Sequence, residues 1–287
     1  MEYVQLNTGA KMPIIGFGVF QIPQDTTTQI VLDAIRAGYR SFDTAASYGN
    51  EKAVGEAIAQ AIAEGLVTIE ELFITSKMWV QDMKNYEMAA KAIETSLSNL
   101  GLEYLDLYLL HQSMGNYFEA YRAMEDAFER GTLKAIGVSN FFPQVLVNFC
   151  ETVRIIPAAN QIELHPFFAQ NQALEIMKEY GVQPIAWAPL AEGKFNIFSH
   201  PVLSEIAKNH NCSAAQVALA WNIQRGVVIL PKSTKPSRMA ENIQAGEIHL
   251  SDEEMEAINA LTLDHSEIIN HFDPKLVQML NRRKIHD

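Results

Sequence analysis

Cysteine is scarce in this chain: two among 287 residues, Cys150 and Cys212. A disulfide framework is not implied, and a reducing compartment is the simpler expectation. Basic residues are outnumbered, 22 against 34 acidic ones, for a formal net charge of −12 with no basic run to offset it. That balance disfavours nucleic acid and anionic membranes as partners. No apolar run approaches the ~20 residues that a membrane span needs. The opening Met1-Glu2-Tyr3-Val4-Gln5 lacks the basic and apolar regions of a signal peptide. A soluble, cytoplasmic protein is expected, and as nothing demands a second subunit, a monomer. There is also no Pro/Gly/Ser-rich linker, low-complexity tract or short internal repeat. Gly16-Phe17-Gly18-Val19-Phe20-Gln21 lacks the third glycine of a Gly-x-Gly-x-x-Gly turn, which argues against a Rossmann domain.

What is present is a large apolar fraction, 48%, with 20% charged residues. That suits one large α/β barrel or two ordinary domains. The start reads as a hairpin, Tyr3–Leu6 and Lys11–Pro13 around the turn-rich Asn7-Thr8-Gly9-Ala10. Strand-like runs then begin near Ile14, Ser41, Leu72, Leu105, Leu133, Ala158, Gln183 and Val227. Helix-like runs alternate with them; Glu51–Glu64, for example, carries Val54, Ala57, Ile58, Ala61 and Ile62 on one face. Such a βα series without a linker predicts a single (β/α)8 TIM barrel over residues 1–287. It would carry an N-terminal β-hairpin and two extra helices, at Pro201–His210 and at Ser251–Leu261, the latter opened by a Ser-x-x-Glu capping box. The tail beyond reads as irregular until Lys275–Asn281.

In such a barrel the active site lies at the C-terminal ends of the strands. Asp43, Lys77 and His111 close three consecutive strand-like runs, and Tyr48 lies in the loop after the first of them. Their chemistries are complementary. A tyrosine with its ordinary pKa of ≈ 10 is a reluctant acid at neutral pH, and a nearby ammonium is expected to lower that value. A carboxylate beside the lysine would keep it charged and in place. A neutral imidazole would donate a second hydrogen bond to the same substrate oxygen. Together the four would hold a carbonyl oxygen between Tyr48 and His111 and protonate it as it becomes an alkoxide. Reduction also requires a hydride donor, hence a cofactor. Each residue alone has a structural reading: a buried Asp–Lys pair, a packing tyrosine, a satisfied histidine. The shared rim and the matched roles favour the chemical one.

The chain resembles an aldo-keto reductase from end to end. The resemblance rests on Gly16-Phe17-Gly18-Val19-Phe20, Phe42-Asp43-Thr44-Ala45 with Tyr48-Gly49-Asn50-Glu51, Thr75-Ser76-Lys77-Met78-Trp79, Leu105 to His111, Gly137-Val138-Ser139-Asn140-Phe141, Asn160-Gln161-Ile162-Glu163-Leu164-His165-Pro166 and Leu230-Pro231-Lys232-Ser233-Thr234. The tail Ile269-Asn270-His271-Phe272-Asp273-Pro274 looks closest to a bacterial branch containing 2,5-diketo-gluconate and methylglyoxal reductases. The resemblance implies NADPH-dependent reduction of aldehydes and small ketones such as dicarbonyls or keto-sugars. Asp43, Tyr48, Lys77 and His111 would form the catalytic tetrad, with Tyr48 as general acid.

The same resemblance carries cofactor roles onto this chain. Val19 and Phe20 would border the dinucleotide, Ser139, Asn140 and Gln161 would hold the nicotinamide carboxamide, and Trp187 would stack on its ring. Ala188 and Leu190 would lie along the chain of the cofactor. Lys232, Ser233, Thr234 and Arg238 would bind the adenosine phosphate, with Glu241 and Asn242 at the adenine. A basic cluster at a helix N-terminus of an acidic protein suits phosphate on physical grounds as well. The substrate is expected to meet Phe20, Trp79, His111 and Gln112; no metal is implied. Several positions depart from the family pattern: Gln112-Ser113 stands where Trp-Pro is common, Trp187 where Tyr is, and Ala188 where Ser is. The short tail suggests an open pocket, and His165 reads as structural. Two other functions fit the barrel less well. A nucleotide-sensing subunit without turnover would not need the tetrad, and a phosphate-binding isomerase would leave Trp187, Ser139, Asn140 and Gln161 without a role.

Overall fold

The computed structural model describes residues 2–287. A two-stranded antiparallel hairpin, β1 (Tyr3–Gln5) and β2 (Lys11–Pro13), comes first. Eight parallel strands follow, each paired to the next in sequence: β3 (Phe17–Gly18), β4 (Ser41–Asp43), β5 (Phe73–Met78), β6 (Leu107–Leu110), β7 (Ile136–Ser139), β8 (Ala159–Glu163), β9 (Gln183–Trp187) and β10 (Val228–Ile229). The sheet closes on itself. Ile15 bridges Ile229 in parallel, with the Ile229 N–H donating to the Ile14 carbonyl at 2.9 Å and the Gly16 N–H to the Ile229 carbonyl at 2.9 Å. Closure leaves no barrel edge to pair with another chain.

Strand side chains alternate between two cores. Leu107 and Leu109 of β6 point into the barrel with Phe73, Ala135, Ala159, Ile185 and Val228, and the hairpin's Leu6 and Met12 join that cluster. Tyr108 and Leu110 of the same strand face the helix layer. That layer comprises α1 (Gln24–Arg36), α2 (Glu51–Ala63), α3 (Tyr86–Leu100), α4 (Tyr117–Glu129), α5 (Pro143–Cys150), α6 (Asn171–Glu179), α8 (Ala214–Gln224) and α9 (Pro236–Ile243). The α2–α3 contact depends on Gly55, where an added Cβ would lie 2.3 Å from the Leu100 carbonyl oxygen; glycine is the residue that admits so close a backbone approach.

Both extra helices are present: α7 (Pro201–Asn209) between β9 and α8, and α10 (Asp252–Asn259), with Ser251 and Glu254 forming the capping box. A further helix, α11 (Pro274–Arg282), occupies the tail and packs Leu280 with Trp79, Val80 and Met114. Pro274 at its start and the Asp273 side chain accepting from the Lys275 N–H explain why it begins there. Among the described residues no helix is long and apolar enough to cross a membrane.

Candidate active site

Parallel register carries three adjacent strands to one rim. Asp43 ends β4, Lys77 lies near the end of β5, and His111 follows β6 directly. Tyr48 ends a single 3-10 turn, Ala46–Tyr48, that returns the chain over the β4 end before Gly49 (φ 72°) leads to α2. Lys77 is 0% exposed, and its Nζ donates to Asp43 Oδ1 at 2.5 Å, to the Thr44 carbonyl at 2.9 Å and to the Tyr48 hydroxyl at 3.2 Å. Gln161 Nε2 donates to the second Asp43 oxygen at 2.8 Å, so the carboxylate is held on both sides. The His111 ring lies edge-on to Tyr48, centroids 5.6 Å apart, and its Nδ1 is 3.2 Å from Ser47 Oγ.

The electrostatics follow from burial. Burial works against the Lys77 charge, but the Asp43 carboxylate and the Tyr48 oxygen outweigh it and leave the ammonium firmly protonated, its pKa raised. For Tyr48 the balance runs opposite to the expectation from sequence. Burial raises its pKa, Lys77 pulls it down, Asp43 pushes it up again, and the net direction is upward. The phenol therefore keeps its proton at neutral pH until an adjacent oxygen becomes more basic. Burial, with the charge of Lys77, pushes His111 well below its ordinary value, so its ring is neutral. A ring proton on Nε2 would leave Nδ1 to accept from the Ser47 hydroxyl.

The next three strand ends form a second group. Ser139 Oγ donates to the Gln161 carbonyl at 2.9 Å. Asn140, with φ 61°, donates from Nδ2 to the His111 carbonyl at 3.0 Å and to Ser139 Oγ at 3.1 Å. Trp187 Nε1 donates to Asn140 Oδ1 at 2.9 Å. Both groups open into one cavity of about 670 Å³ that Phe20, Asp43, Tyr48, His111, Gln112, Ser139, Asn140, Gln161, Trp187, Ala188, Leu190 and Lys232 help to line.

Other expected site residues lie elsewhere. Trp79 is buried behind His111, ring centroids 5.3 Å apart, with its N–H on the Arg283 carbonyl at 2.9 Å. The α11 contact holds it there and off the cavity wall. Val19 is wholly buried and does not line the cavity. Ser233, Thr234, Arg238, Glu241 and Asn242 continue from Lys232 along the segment into α9, outside the cavity lining. Glu241 accepts a hydrogen bond from Ser213 Oγ, and Asn242 is buried. Lys232, Lys235 and Arg238 are exposed, and among the described residues none has a carboxylate partner. His165 is buried against Glu163 at 3.1 Å and is not part of the cavity. The tail is short but not remote: Ile268, Ile269, His271 and Leu276 line the cavity. Lys194 from the loop after β9 bonds the Glu267 carbonyl, joining that loop to the tail. Ser47 and His271 were not singled out as site residues from sequence; only their long-range contacts reveal them.

The sequence matches the model of the Aldo/keto reductase family over residues 14–262. It is 43% identical to a glyoxal reductase of Bacillus subtilis over 92% of this chain and 94% of that protein, and 45% identical to an uncharacterized oxidoreductase, YtbE, of the same organism over 89% and 91%. Among solved structures, a Bombyx mori aldo-keto reductase in complex with NADP superposes with a TM-score of 0.87 at 35% identity, covering 92% of this chain and 94% of that one. An aldo-keto reductase from a deep-sea metagenome superposes with a TM-score of 0.89 at 38% identity, over 94% and 98%. The chain belongs to the aldo/keto reductase family and is an NADP(H)-dependent oxidoreductase acting on carbonyl groups.

Proposed function

We propose that the chain works as one catalytic domain reducing aldehydes and small ketones, with dicarbonyl and keto-sugar compounds among them, and that Tyr48 donates the proton. The observation carrying this reading is the Tyr48 hydroxyl, 3.2 Å from a fully buried Lys77 ammonium and beside a neutral His111, at the wall of a cavity large enough for substrate and cofactor ends together. The similarity to a glyoxal reductase supports the dicarbonyl part.

The residues present fit the dinucleotide. Trp187 offers a half-buried flat face to the cavity, and Gln161 Oε1 has no partner among the described residues, leaving it open to an amide. The cations Lys232, Lys235 and Arg238, which have no carboxylate partner among the described residues, suit phosphate groups. Ser139, Asn140, Gln161 and Trp187 would hold the nicotinamide end, and Lys232, Ser233, Thr234 and Arg238 the adenosine phosphate, with Glu241 and Asn242 by the adenine. NADPH supplies the hydride when bound. His111 Nε2–H and the Tyr48 hydroxyl bind the carbonyl oxygen as its negative charge grows, and Tyr48 transfers its proton to it. Lys77 then stabilises the phenolate left behind, and Asp43, fixed by Gln161, holds Lys77 in place. The reverse oxidation uses the same groups, and cofactor supply sets the direction. The free thiols Cys150 and Cys212 and the acidic net charge support a cytoplasmic enzyme without nucleic acid partners, which we take to act as a monomer.

The test is loss of NADPH absorbance with methylglyoxal, glyceraldehyde and 4-nitrobenzaldehyde. Turnover is expected, and Tyr48→Phe should lower it by about 10³-fold while NADP⁺ affinity stays within about twofold. Tight NADPH binding with no turnover of any of the three would instead favour a nucleotide-sensing barrel.

A further inference from the structure

Trp187 keeps part of its surface open to two cavities. It is half-buried at the end of β9, and the residue after it, Ala188, turns into the left-handed region at φ 47°. Its ring borders the main cavity and also a second one of about 180 Å³, whose walls include Phe142, Gln170, Ser266 and Asn270. A side chain between two cavities lacks the close neighbours that hold a core ring in one orientation. What the indole does have is one directed bond, Nε1–H to Asn140 Oδ1 at 2.9 Å.

Asn140 is a firm anchor. Its own N–H donates to the Gln161 carbonyl at 2.9 Å, its carbonyl accepts from Ser113 Oγ at 3.0 Å, and its Nδ2 holds the His111 carbonyl at 3.0 Å and Ser139 Oγ at 3.1 Å. Each of its polar atoms is engaged, so the amide has one orientation, and that orientation presents Oδ1 to the indole. The backbone φ of 61° is one that asparagine tolerates and most side chains do not.

We infer that Trp187 is a positioning residue as well as an aromatic wall. Its indole N–H, hooked on Asn140, fixes ring and amide as one seat, and Asn140 Nδ2 ties that seat to the backbone of His111. The inference rests on the placement of the nicotinamide proposed above. A phenylalanine at this position would keep a flat apolar face but lose the hook, so the ring would gain room to turn toward the second cavity.

The test is calorimetric titration of the whole protein with NADP⁺ and with 2′-phospho-ADP-ribose, which lacks the nicotinamide. Trp187→Phe should weaken NADP⁺ about tenfold, the scale of one hydrogen bond with its partner left unmet, and leave 2′-phospho-ADP-ribose within about twofold. Asn140→Gly, which accepts the left-handed φ without strain, should weaken NADP⁺ at least as much, since it removes the amide's own contact with the carboxamide as well as the hook, and adding Trp187→Phe to it should weaken NADP⁺ by no more than about twofold further. Misfolding would weaken both ligands alike, and that result, an additive cycle, or an unchanged NADP⁺ affinity in Trp187→Phe would overturn the inference. The wild-type protein separates this from the reading beneath it. Equal affinity for the two ligands there would remove the nicotinamide placement itself, whereas clear discrimination with an additive cycle would remove only the role of the indole N–H.

Discussion

The Asp43 carboxylate meets the Lys77 ammonium at 2.5 Å in a site where the lysine side chain is 0% exposed. Two opposite charges taken out of water together are tolerable; one left alone is not. Removing a single partner of a buried pair typically destabilises by about 3–5 kcal/mol, because the remaining charge is uncompensated. Asp43→Asn and Lys77→Met should each lower unfolding free energy by about 3 kcal/mol in denaturant titration, and the double variant should lose clearly less than the sum. Losses below about 1 kcal/mol for both single variants would mean that water reaches the pair.

His111 makes stability depend on pH. Its folded-state pKa is depressed by burial and by Lys77, whereas the unfolded chain titrates near 6.5. As pH falls through that value the unfolded state takes up a proton that the folded state does not, so stability is lost with falling pH. His271, also lowered by burial, acts in the same direction, while His265 and His286, both raised by hydrogen bonding, act against it. In His111→Asn the loss of stability between pH 7 and pH 5 should be smaller than in the parent, measured by denaturant midpoints at each pH. An equal slope would show that His111 protonates in the folded protein as readily as in the unfolded one.

The barrel and its rim were legible because both are local. Apolar strand runs, each followed by a helical period, dictate a parallel sheet, and a polar residue closing such a run falls at the C-terminal rim whatever the loops do. Asp43, Lys77 and His111 are of that kind. What was not legible depends on loops and tail meeting over long separations. Ser47 meets His111 across 64 positions, His271 meets Gln112 across 159, and the Trp79 indole meets the Arg283 carbonyl across 204. No periodicity encodes such pairings. The direction of the Tyr48 shift was misread for a related reason: the lysine's pull is evident from residue types, but the burial that outweighs it is a property of the assembled site.

Arg238 is the residue expected to set which dinucleotide the protein prefers. It is exposed at the start of α9, on the segment that follows Lys232, and has no ion-pair partner among the described residues. A guanidinium free to take a phosphate contributes a charge-assisted bond, worth about 1.5–3 kcal/mol, that NADH has no group to receive. Arg238→Ala should therefore raise KM for NADPH by about 10- to 100-fold and change that for NADH by less than about twofold. Equal effects on the two cofactors would place the 2′-phosphate elsewhere, with Lys232 and Lys235 the next residues to replace.

Gln112 is the residue expected to set what kind of carbonyl compound the pocket favours. It is 7% exposed, lines the cavity, and its Oε1 lies 3.1 Å from His271 Nε2. With the ring nitrogen donating to Oε1, the amide is oriented and its NH₂ group is left to donate to a ligand. A substrate oxygen next to the reacting carbonyl can accept that bond, whereas an aromatic aldehyde offers nothing there and leaves the donor unmet. Gln112→Leu, close in volume but without the donor, should lower kcat/KM for methylglyoxal by about 10-fold or more and alter that for 4-nitrobenzaldehyde by less than about threefold. His271→Phe, which frees the amide to rotate while keeping a ring against Phe142, should move methylglyoxal in the same direction by a smaller factor. A parallel fall for both aldehydes in Gln112→Leu would mean that the residue shapes the cavity without selecting the substrate.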